Sequence, residues 1–287
     1  RLPRPARRRR RARPARRGRG LRRLPRGRDR GAAHHCAEHA AGDQPDAIAK
    51  LSGLVYTYVE VAPTTANSTG GEPNGNIRNG YLYLSSRVTL VDGSLGLIED
   101  AAFNGSRKPV VATWSFNDQE FTTVNVHFTS RLGSDPLWGD AQPPRDGGDA
   151  SRIAQAAAVG DYVFDILAAD ASRQFVLLGD WNGFYFEEAQ TQLTDGGVFT
   201  NLSTLLPEAE RYSYLFEGNS QLIDNMLVTG GLLSGAKYDA VHINAEFTGS
   251  RPTDHDPQVA WFGDLPQPAA PRVQAQQRDP DRLIPQH

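Results

Sequence analysis

The sequence contains very little cysteine and no long apolar run. Cys36 is the single cysteine in 287 residues, which excludes an internal disulfide but leaves the cellular compartment open. No apolar run approaches the roughly 18 residues that cross a bilayer, so we expect no membrane span. The basic start of the chain is not followed by the apolar segment of a secretory signal, so we expect no signal peptide within it.

Acidic residues are almost missing from residues 1–30 and abundant after them. This segment holds sixteen of the 31 basic residues, all of them arginine, and one acid, Asp29. The remaining 15 basic and 32 acidic residues give the rest of the chain a net charge of −17. A segment so rich in charge and poor in apolar residues forms no core, so we expect residues 1–46 to be disordered. Two explanations stay open: an arm that binds nucleic acid or a membrane surface, and a stretch translated in the wrong frame.

A short apolar strand precedes the residues that carry most of the functional argument. Val176–Leu178 is followed by Gly179, which predicts a buried strand that ends in a tight turn. Asp180 and Asn182 are two residues apart, so on an extended chain their side chains emerge on the same side. A carboxylate accepts a proton from water or binds a metal, and an amide donates to an oxyanion. The pair therefore has the chemistry of phosphoester hydrolysis, although Asp and Asn are also ordinary turn formers.

Two more titratable residues stand in informative contexts. His127 lies on the polar face of the predicted strand Thr122–Phe128, near its end. A histidine there either takes part in catalysis or simply forms a hydrogen bond at the edge of the sheet. Asp224 lies in a strongly apolar run and needs a partner if it is buried. His255, between two acids on a loop stiffened by Pro257, is the expected partner. Asp224 would orient His255 and keep it protonated.

The remaining pattern predicts strands and helices of one large domain, with residues 47–263 as its extent. Ser151–Ala169 has the spacing of an amphipathic helix, and Val110–Phe116 and Thr122–Phe128 flank a turn and predict a hairpin. Further strands are expected at Val55–Val61, Arg78–Leu84, Tyr212–Phe216, Gln221–Thr229 and Gln258–Phe262. Residues 264–287 are rich in Pro, Gln and Arg, which predicts a disordered tail.

Two long polar loops, at residues 63–79 and 129–150, are long enough to lie over a site. Each loop carries an arginine near one end, Arg78 in the first and Arg131 in the second. We expect both arginines to contact the substrate, because guanidinium groups bind phosphate well. For Arg78, a solvated surface arginine is the alternative.

Four motifs, in their order along the chain, resemble those of the endonuclease/exonuclease/phosphatase superfamily, the group that contains pancreatic deoxyribonuclease. They are Val126-His127-Phe128, Gly179-Asp180-Trp181-Asn182, Ile223-Asp224 and Asp254-His255-Asp256-Pro257. The resemblance covers about residues 47–263 and is closest to bacterial, often secreted, nuclease-like members. It implies an α+β fold, a four-layer α/β sandwich of two mostly antiparallel sheets with outer helices and an active site at one rim.

The resemblance also implies a role for each matching residue. Asp180 and Asn182 would orient or deprotonate the attacking water. His127 and His255 would stabilise the phosphoryl oxygens or protonate the leaving oxygen, with Asp224 holding His255. These roles together describe hydrolysis of a phosphate ester.

The metal site is where the sequence departs from the family. The resemblance places Asp254 at a divalent cation, magnesium or manganese. The family's principal metal ligand is the glutamate of a Gln-Glu motif, which follows an early strand with an asparagine. Neither motif precedes Asp46, and Glu60 stands in a different context. Trp181 replaces a usual Phe, and Asn225 replaces a frequent His. We therefore expect a domain incomplete at its N-terminus, with weak metal binding and low turnover.

The predicted function is metal-dependent hydrolysis of phosphodiesters in nucleic acid, with DNA favoured over RNA. A phosphatase or a sphingomyelinase-like phosphodiesterase is an alternative enzyme. A non-catalytic protein that binds nucleic acid through its basic arm is an alternative of another class. Because the chain beyond residue 30 is acidic, contact with nucleic acid must be local and supported by cations. The resemblance implies an extracellular protein, and we expect a monomer.

Overall fold

The computed structural model describes residues 43–66, 68–69 and 78–263. The arginine-rich segment up to residue 42, the centre of the first long loop and the predicted tail from residue 264 lie outside the described residues. Helices within the described part are α1 (Asp43–Ser52), α2 (Asp149–Ala169), α3 (Glu188–Thr194) and α4 (Gly230–Leu233), with 3-10 turns at Ala101–Phe103, Leu202–Leu205 and Glu208–Glu210.

The strands are short at the ends of the described chain and longer in its centre. They are β1 (Thr57–Val59), β2 (Tyr81–Tyr83), β3 (Thr89–Leu90), β4 (Gly96–Leu97), β5 (Val110–Phe116), β6 (Gln119–His127), β7 (Phe175–Asp180), β8 (Phe199–Asn201), β9 (Tyr214–Phe216), β10 (Asn219–Gln221), β11 (Asp224–Thr229), β12 (Lys237–Ala240) and β13 (Gln258–Trp261).

A seven-stranded sheet forms the centre of the molecule. Its strand order is β3-β5-β6-β7-β11-β8, and β4 also pairs with β5. β6 and β7 are parallel, whereas the other pairs in this sheet are antiparallel. A parallel pair needs a long crossover connection, and α2 lies in the chain between these two strands. Three two-stranded sheets, β1-β2, β9-β10 and β12-β13, accompany the large one.

One face of the large sheet packs against α2 and α3. The side chains of β7 alternate, so Phe175 and Leu177 face these helices, and both are fully buried. Their partners on α2 are mostly small, which lets the helix approach the sheet closely. The buried apolar residues of this layer are Ile98, Phe103, Val111, Val124, Val126, Phe128, Ala156, Ala158, Val159, Val163, Phe175, Leu177, Trp181, Ala189, Leu193, Phe199 and Leu227.

The opposite face of the large sheet packs against the β12–β13 hairpin. Val176 of β7 and Met226 of β11 lie on this face, in a cluster that contains Tyr238 of β12. Ala260 and Phe262, near the end of the described residues, pack against the same cluster. The structure therefore has helices, a large sheet and a small second sheet in successive layers. The predicted α+β sandwich is confirmed, although the second sheet is only two-stranded here among the described residues.

Several predicted elements have different limits. β6 begins at Gln119 instead of Thr122, because Asn117 and Asp118 have φ values of 51° and 60° and close a two-residue hairpin turn. The single strand predicted for residues 221–229 is divided into β10 and β11. β7 continues through Gly179 to Asp180 instead of ending at Leu178. No helix in the described ranges combines the length and the apolar character that a membrane crossing requires.

Candidate active site

Three polar residues lie side by side at one end of the large sheet. The parallel register of β6 and β7 pairs His127 with Asp180, and the antiparallel register of β7 and β11 pairs Asp180 with Asp224. Asp180 and Asp224 are an even number of positions from Val176 and Met226, so they point to the same face as these residues, toward the β12–β13 hairpin. His127 Nε2 is 3.3 Å from Asp180 Oδ2.

Gly179 allows this alignment. Its φ is 132°, a conformation that residues with a side chain rarely adopt. A Cβ atom at this position would overlap the backbone carbonyl oxygen of Val126 on β6. β6 and β7 therefore approach one another closely at the point where His127 and Asp180 leave the sheet. Packing against β6 therefore requires glycine at position 179, independently of the turn that the sequence pattern predicted.

The loop between β12 and β13 brings His255 next to these three residues. We call the four residues, His127, Asp180, Asp224 and His255, the row. His255 Nδ1 is 2.7 Å from Asp224 Oδ2, which is the contact that the sequence predicted. The Ser213 hydroxyl donates to the same carboxylate oxygen at 2.7 Å, and the Gln258 side-chain amide donates to the backbone carbonyl of Asp224. The ring of Tyr214 lies 4.8 Å from the imidazole, centroid to centroid. Asp224 is thus a half-buried acid with the partners that its apolar strand requires.

The carboxylates change the protonation of the site. Burial alone would lower the pKa of His255, but the hydrogen bond and charge of Asp224, with Asp180 and Asp254, raise it to about 9. Burial raises the pKa of the Asp180 carboxyl, and the charge of Asp224 raises it further, while His255 and Arg107 act in the opposite direction. The site therefore holds an imidazolium and a carboxyl of weakened acidity next to each other at neutral pH.

A second aspartate holds the loop that carries His255. Asp256 is 3% exposed, and its Oδ1 accepts the backbone N–H groups of residues 243, 244 and 245 at 3.0, 2.7 and 2.9 Å. The Asp256 N–H donates to the Ser213 carbonyl at 2.7 Å. Asn244 closes the network by donating to the carbonyl of His255 at 2.8 Å. Residues on both sides of His255 are therefore fixed by hydrogen bonds.

The other oxygen of Asp256 binds a second histidine. His242 Nδ1 is 3.0 Å from Asp256 Oδ2. The His242 ring lies flat on Tyr212, with centroids 3.7 Å apart and planes 1° apart, and the Tyr212 hydroxyl donates to Glu246 at 2.6 Å. The sequence reading did not single out His242.

The residues of the row could hold a divalent cation. Asp180, Asp224 and His255 each offer one ligand atom, and these atoms all lie within 4.8 Å of one another. Asp254, the ligand predicted from the sequence, is not in this cluster, although its charge acts on both His255 and Tyr214. The two carboxylates suit magnesium or manganese, and His255 would join them as a ligand only in its neutral form.

Comparison with known proteins gives fold-level likeness only. No protein-family model matches the sequence, and a search of curated proteins finds no match. A truncated TDP2 from Caenorhabditis elegans superposes with a TM-score of 0.52 at 14% identity, over 78% of this chain and 82% of that chain. An endonuclease/exonuclease/phosphatase family protein from Bacteroides thetaiotaomicron gives 0.51 at 16% identity, over 78% of each chain.

The chain has the endonuclease/exonuclease/phosphatase fold. A humanized D. rerio TDP2 carrying 14 mutations agrees, with a TM-score of 0.51 at 15% identity over 75% of this chain and 78% of that chain. The fold that the four sequence motifs implied is therefore confirmed. In this endonuclease/exonuclease/phosphatase fold, the large sheet and the loop after β12 bring together four residues at one end of the sheet: His127, Asp180, Asp224 and His255.

Asn182 takes a different position from the one that its spacing predicted. Its φ is 47°, so the chain turns sharply after Asp180 and is not extended there. The Asn182 backbone N–H donates to Asp180 Oδ1 at 2.8 Å, and its side-chain amide donates to the carbonyl of Phe128 at 3.1 Å. The amide and the carboxylate do not emerge in parallel. Asn182 instead orients the Asp180 carboxylate through its backbone.

The two arginines expected at the substrate both form ion pairs. Arg78 Nη1 is 3.0 Å from Glu60, which also accepts the Tyr58 hydroxyl at 2.7 Å. Arg131 Nη1 is 2.9 Å from Glu187, and the same guanidinium also reaches Asp146. Substrate contact by Arg78 and Arg131 stays a prediction, and the pairing of Glu60 with Arg78 argues against Glu60 as the missing metal ligand.

The sequence reading missed Arg107. Burial lowers the pKa of this arginine, and the charge of Asp180 raises it, so the two groups are within electrostatic reach. Val110 pairs with Asn125, and the residues just before Val110 therefore run beside the end of β6 that carries His127. The signal in the sequence was an arginine three residues before a long buried strand, which becomes informative only when the register of that strand is known.

Proposed function

We propose that this chain is a metal-dependent hydrolase of phosphodiesters, acting on nucleic acid, with DNA favoured over RNA. The observation that carries the proposal is the convergence of Asp180, Asp224 and His255 within 4.8 Å, next to His127. A carboxyl and an imidazole with raised pKa values, those of Asp180 and His255, at the rim of a sheet are typical of an active site.

Asp180 serves as the group that orients and deprotonates the attacking water. Its carboxylate is held by the Asn182 backbone N–H at 2.8 Å, and burial raises its pKa, which suits a proton acceptor near neutral pH. His127, 3.3 Å from Asp180 Oδ2, lies beside the same carboxylate. It is placed to stabilise a phosphoryl oxygen or to protonate the leaving oxygen.

His255 and Arg107 supply positive charge to the phosphoryl group. Asp224 holds the His255 ring at 2.7 Å and helps raise its pKa to about 9, so His255 is an imidazolium at neutral pH. Arg107 lies within electrostatic reach of Asp180. Two cations beside two carboxylates reduce the repulsion between the carboxylates and an incoming phosphate.

A divalent cation, Mg²⁺ or Mn²⁺, completes the proposal. The carboxylate of Asp180, which lies in the cluster, would hold the metal, and Asp254 is the further ligand that the resemblance implies. The metal supplies charge neutralisation at the phosphoryl oxygens. The likeness of the four motifs to secreted bacterial nucleases supports an extracellular, monomeric enzyme.

Plasmid cleavage tests the proposal. The full chain is incubated with supercoiled DNA and Mg²⁺ or Mn²⁺, with EDTA as the metal control, and compared with Asp180→Ala. Asp195→Ala is the matched control, because Asp195 is an exposed carboxylate at the end of α3, away from the row. We expect metal-dependent nicking by the unmodified chain and by Asp195→Ala, and at least about a hundredfold slower nicking by Asp180→Ala.

Two outcomes contradict the proposal. Cleavage that continues unchanged in EDTA would show that the reaction does not need a metal. Cleavage that Asp180→Ala and Asp195→Ala affect equally removes Asp180 from the site. An RNA of the same sequence, assayed in parallel, decides the preference between DNA and RNA.

A further inference from the structure

Three consecutive aromatic residues follow the turn that carries Asp180, in the connection between β7 and α3. The rings of Phe184 and Phe186 are stacked, with centroids 5.4 Å apart and planes 25° apart. Tyr185 meets Phe186 edge to face at 5.2 Å. Phe186 is nevertheless 65% exposed. A ring that is fixed by its neighbours and still open to solvent is a ready surface for another flat group.

Guanidinium groups lie over two of these rings. The Arg131 guanidinium carbon is 4.5 Å from the centroid of Phe184, and that of Arg211 is 5.6 Å from the centroid of Tyr185. Arg131 is neutralised by Glu187 at 2.9 Å and by Asp146. Its charge is thus compensated within the protein, so the surface offers ring faces more than a site for an anion.

The aromatic residues are tied to the row of catalytic candidates. Arg131 Nη1 donates to the Asn182 carbonyl at 3.4 Å, and the Phe184 N–H donates to Glu187 at 3.0 Å. Asp180 and Phe186 are six residues apart in the chain, so their Cα atoms lie at most about 20 Å from one another even when the chain is fully extended. A nucleic-acid strand with a phosphate at Asp180 therefore reaches Phe186 with a base within a few nucleotides of that phosphate.

We propose that Phe184, Tyr185 and Phe186 form a stacking platform for a base of the nucleic-acid strand whose phosphate lies at Asp180. This inference rests on the proposed function and adds to it the form of the substrate. Bases inside a duplex are already stacked on one another, whereas single-stranded bases present open faces to aromatic side chains. The platform therefore favours single-stranded or locally opened DNA, with little preference for sequence.

Binding measured without catalysis tests the platform. Fluorescence anisotropy in EDTA compares a fluorescein-labelled oligodeoxyadenylate with an oligonucleotide of equal length made of abasic units. Phe186→Ala removes the exposed ring, Phe186→Leu keeps an apolar side chain without a ring, and Phe186→Trp restores a ring. Trp261→Ala is the matched control, since Trp261 is 57% exposed on β13. Circular dichroism melts confirm that each variant is folded.

We expect Phe186→Ala to bind the base-bearing strand roughly 5- to 150-fold more weakly than the unmodified chain does. Phe186→Leu should lose nearly as much affinity, whereas Phe186→Trp and Trp261→Ala should lose little. The abasic strand should bind all variants alike. Any contact of the basic N-terminal segment with phosphate is common to both strands and cancels in this comparison.

Three results would overturn the platform: no preference of the unmodified chain for the base-bearing strand, an equal loss on both strands, or full retention of affinity by Phe186→Leu. The last result would indicate a generic apolar contact, such as a protein partner. Cleavage of single-stranded DNA is assayed separately. A chain that prefers base-bearing strands but cleaves no DNA would refute the proposed hydrolysis and leave the platform standing, and cleavage without that preference would do the reverse.

Discussion

Two histidine–aspartate pairs meet at adjacent positions of one loop, yet they are built differently. His255 is 2.7 Å from Asp224, and His242 is 3.0 Å from Asp256. Asp256 also accepts three backbone N–H groups, which together with His242 hold its pKa below the usual range even though burial acts to raise it. Asp224 instead faces the carboxylate of Asp180 across the β7–β11 register.

The difference separates a structural pair from the pair that we propose to be reactive. The carboxylate of Asp256 has four partners within the protein, so a proton or a ligand gains little by approaching it. Asp224 and Asp180 place two acids beside one imidazolium, and the pKa of Asp180 is raised by burial and by Asp224. A carboxyl with a raised pKa beside a second carboxylate and an imidazolium responds strongly when a phosphate or a metal binds. The pair at Asp256 holds the loop in place, and the pair at Asp224 is the one that we propose takes part in hydrolysis.

The largest expected effect is on catalysis, in Asp224→Asn. The amide keeps the shape of the carboxylate but not its charge, so His255 is no longer held as an imidazolium. We expect kcat/KM for DNA cleavage to fall by about 10²- to 10⁴-fold. Asp239→Asn, which alters an exposed acid on β12, is the control. A stability loss without a rate loss would make this pair structural, like the other one.

The second prediction reverses that pattern at the structural pair. Asp256→Ala leaves three backbone N–H groups and His242 without their acceptor, in a place that is 3% exposed. We expect the free energy of unfolding, from urea denaturation, to fall by about 3 kcal/mol. Asp254→Ala, two positions earlier, should change it by much less. Equal losses in the two variants would show that the hydrogen-bond network at Asp256 does not hold the loop.

The pairs should also lose stabilisation at opposite ends of the pH scale, in EDTA. The folded pKa of His255, about 9, lies above its unfolded value of about 6.5. Its contribution is therefore complete below pH about 6.5 and is lost as the pH rises through about 9. The pKa of Asp256 is lowered on folding, so its contribution is present above its unfolded pKa of about 4 and is lost as the pH falls through the folded value.

His255→Gln and Asp256→Asn separate these two contributions. The difference in unfolding free energy between the unmodified chain and His255→Gln should shrink by on the order of 1 to 3 kcal/mol between neutral pH and pH about 10. Asp180, whose pKa is raised to about 7, titrates at the lower edge of this window, so its part of the change lies near pH 7 and that of His255 near pH 9. For Asp256→Asn the difference should shrink only in acid. A pH-independent difference for His255→Gln would contradict the ion pair with Asp224.

The sequence predicted the reactive pair because its residues stand in local motifs. Four residues stand in short motifs that can be recognised in the sequence: His127, Asp180, Asp224 and His255. The order of these motifs along the chain indicated the fold. The long helix followed from periodicity, with α2 beginning at Asp149 instead of Ser151, whereas the α+β class followed from the resemblance to a known family. These are properties of short windows, which local propensity and spacing describe well.

The structural pair and Arg107 could not be found in this way. Asp256 looks like a second acid beside His255, and its partners at residues 242–245 become visible only when the loop is folded. Arg107 is connected to Asp180 through the pairing of β5 with β6, a long-range register that no local pattern contains. The left-handed φ of Asn182 also depends on its tertiary bond to Phe128. Contacts across the fold, more than residue types, decide these features.

The smallest expected effect concerns the ring that covers His242. Tyr212→Leu keeps an apolar side chain but removes the stack at 3.7 Å, and Tyr212→Phe keeps the ring but removes the hydroxyl that donates to Glu246. We expect Tyr212→Leu to lower the free energy of unfolding by about 0.5 to 1.5 kcal/mol, and Tyr212→Phe to lower it by less, because the Glu246 contact is exposed. DNA cleavage should stay unchanged in both, since the stack supports Asp256 and not Asp224. A rate loss in Tyr212→Leu at unchanged stability would mean that the two pairs are coupled through the loop, and that the structural pair also tunes the reactive one.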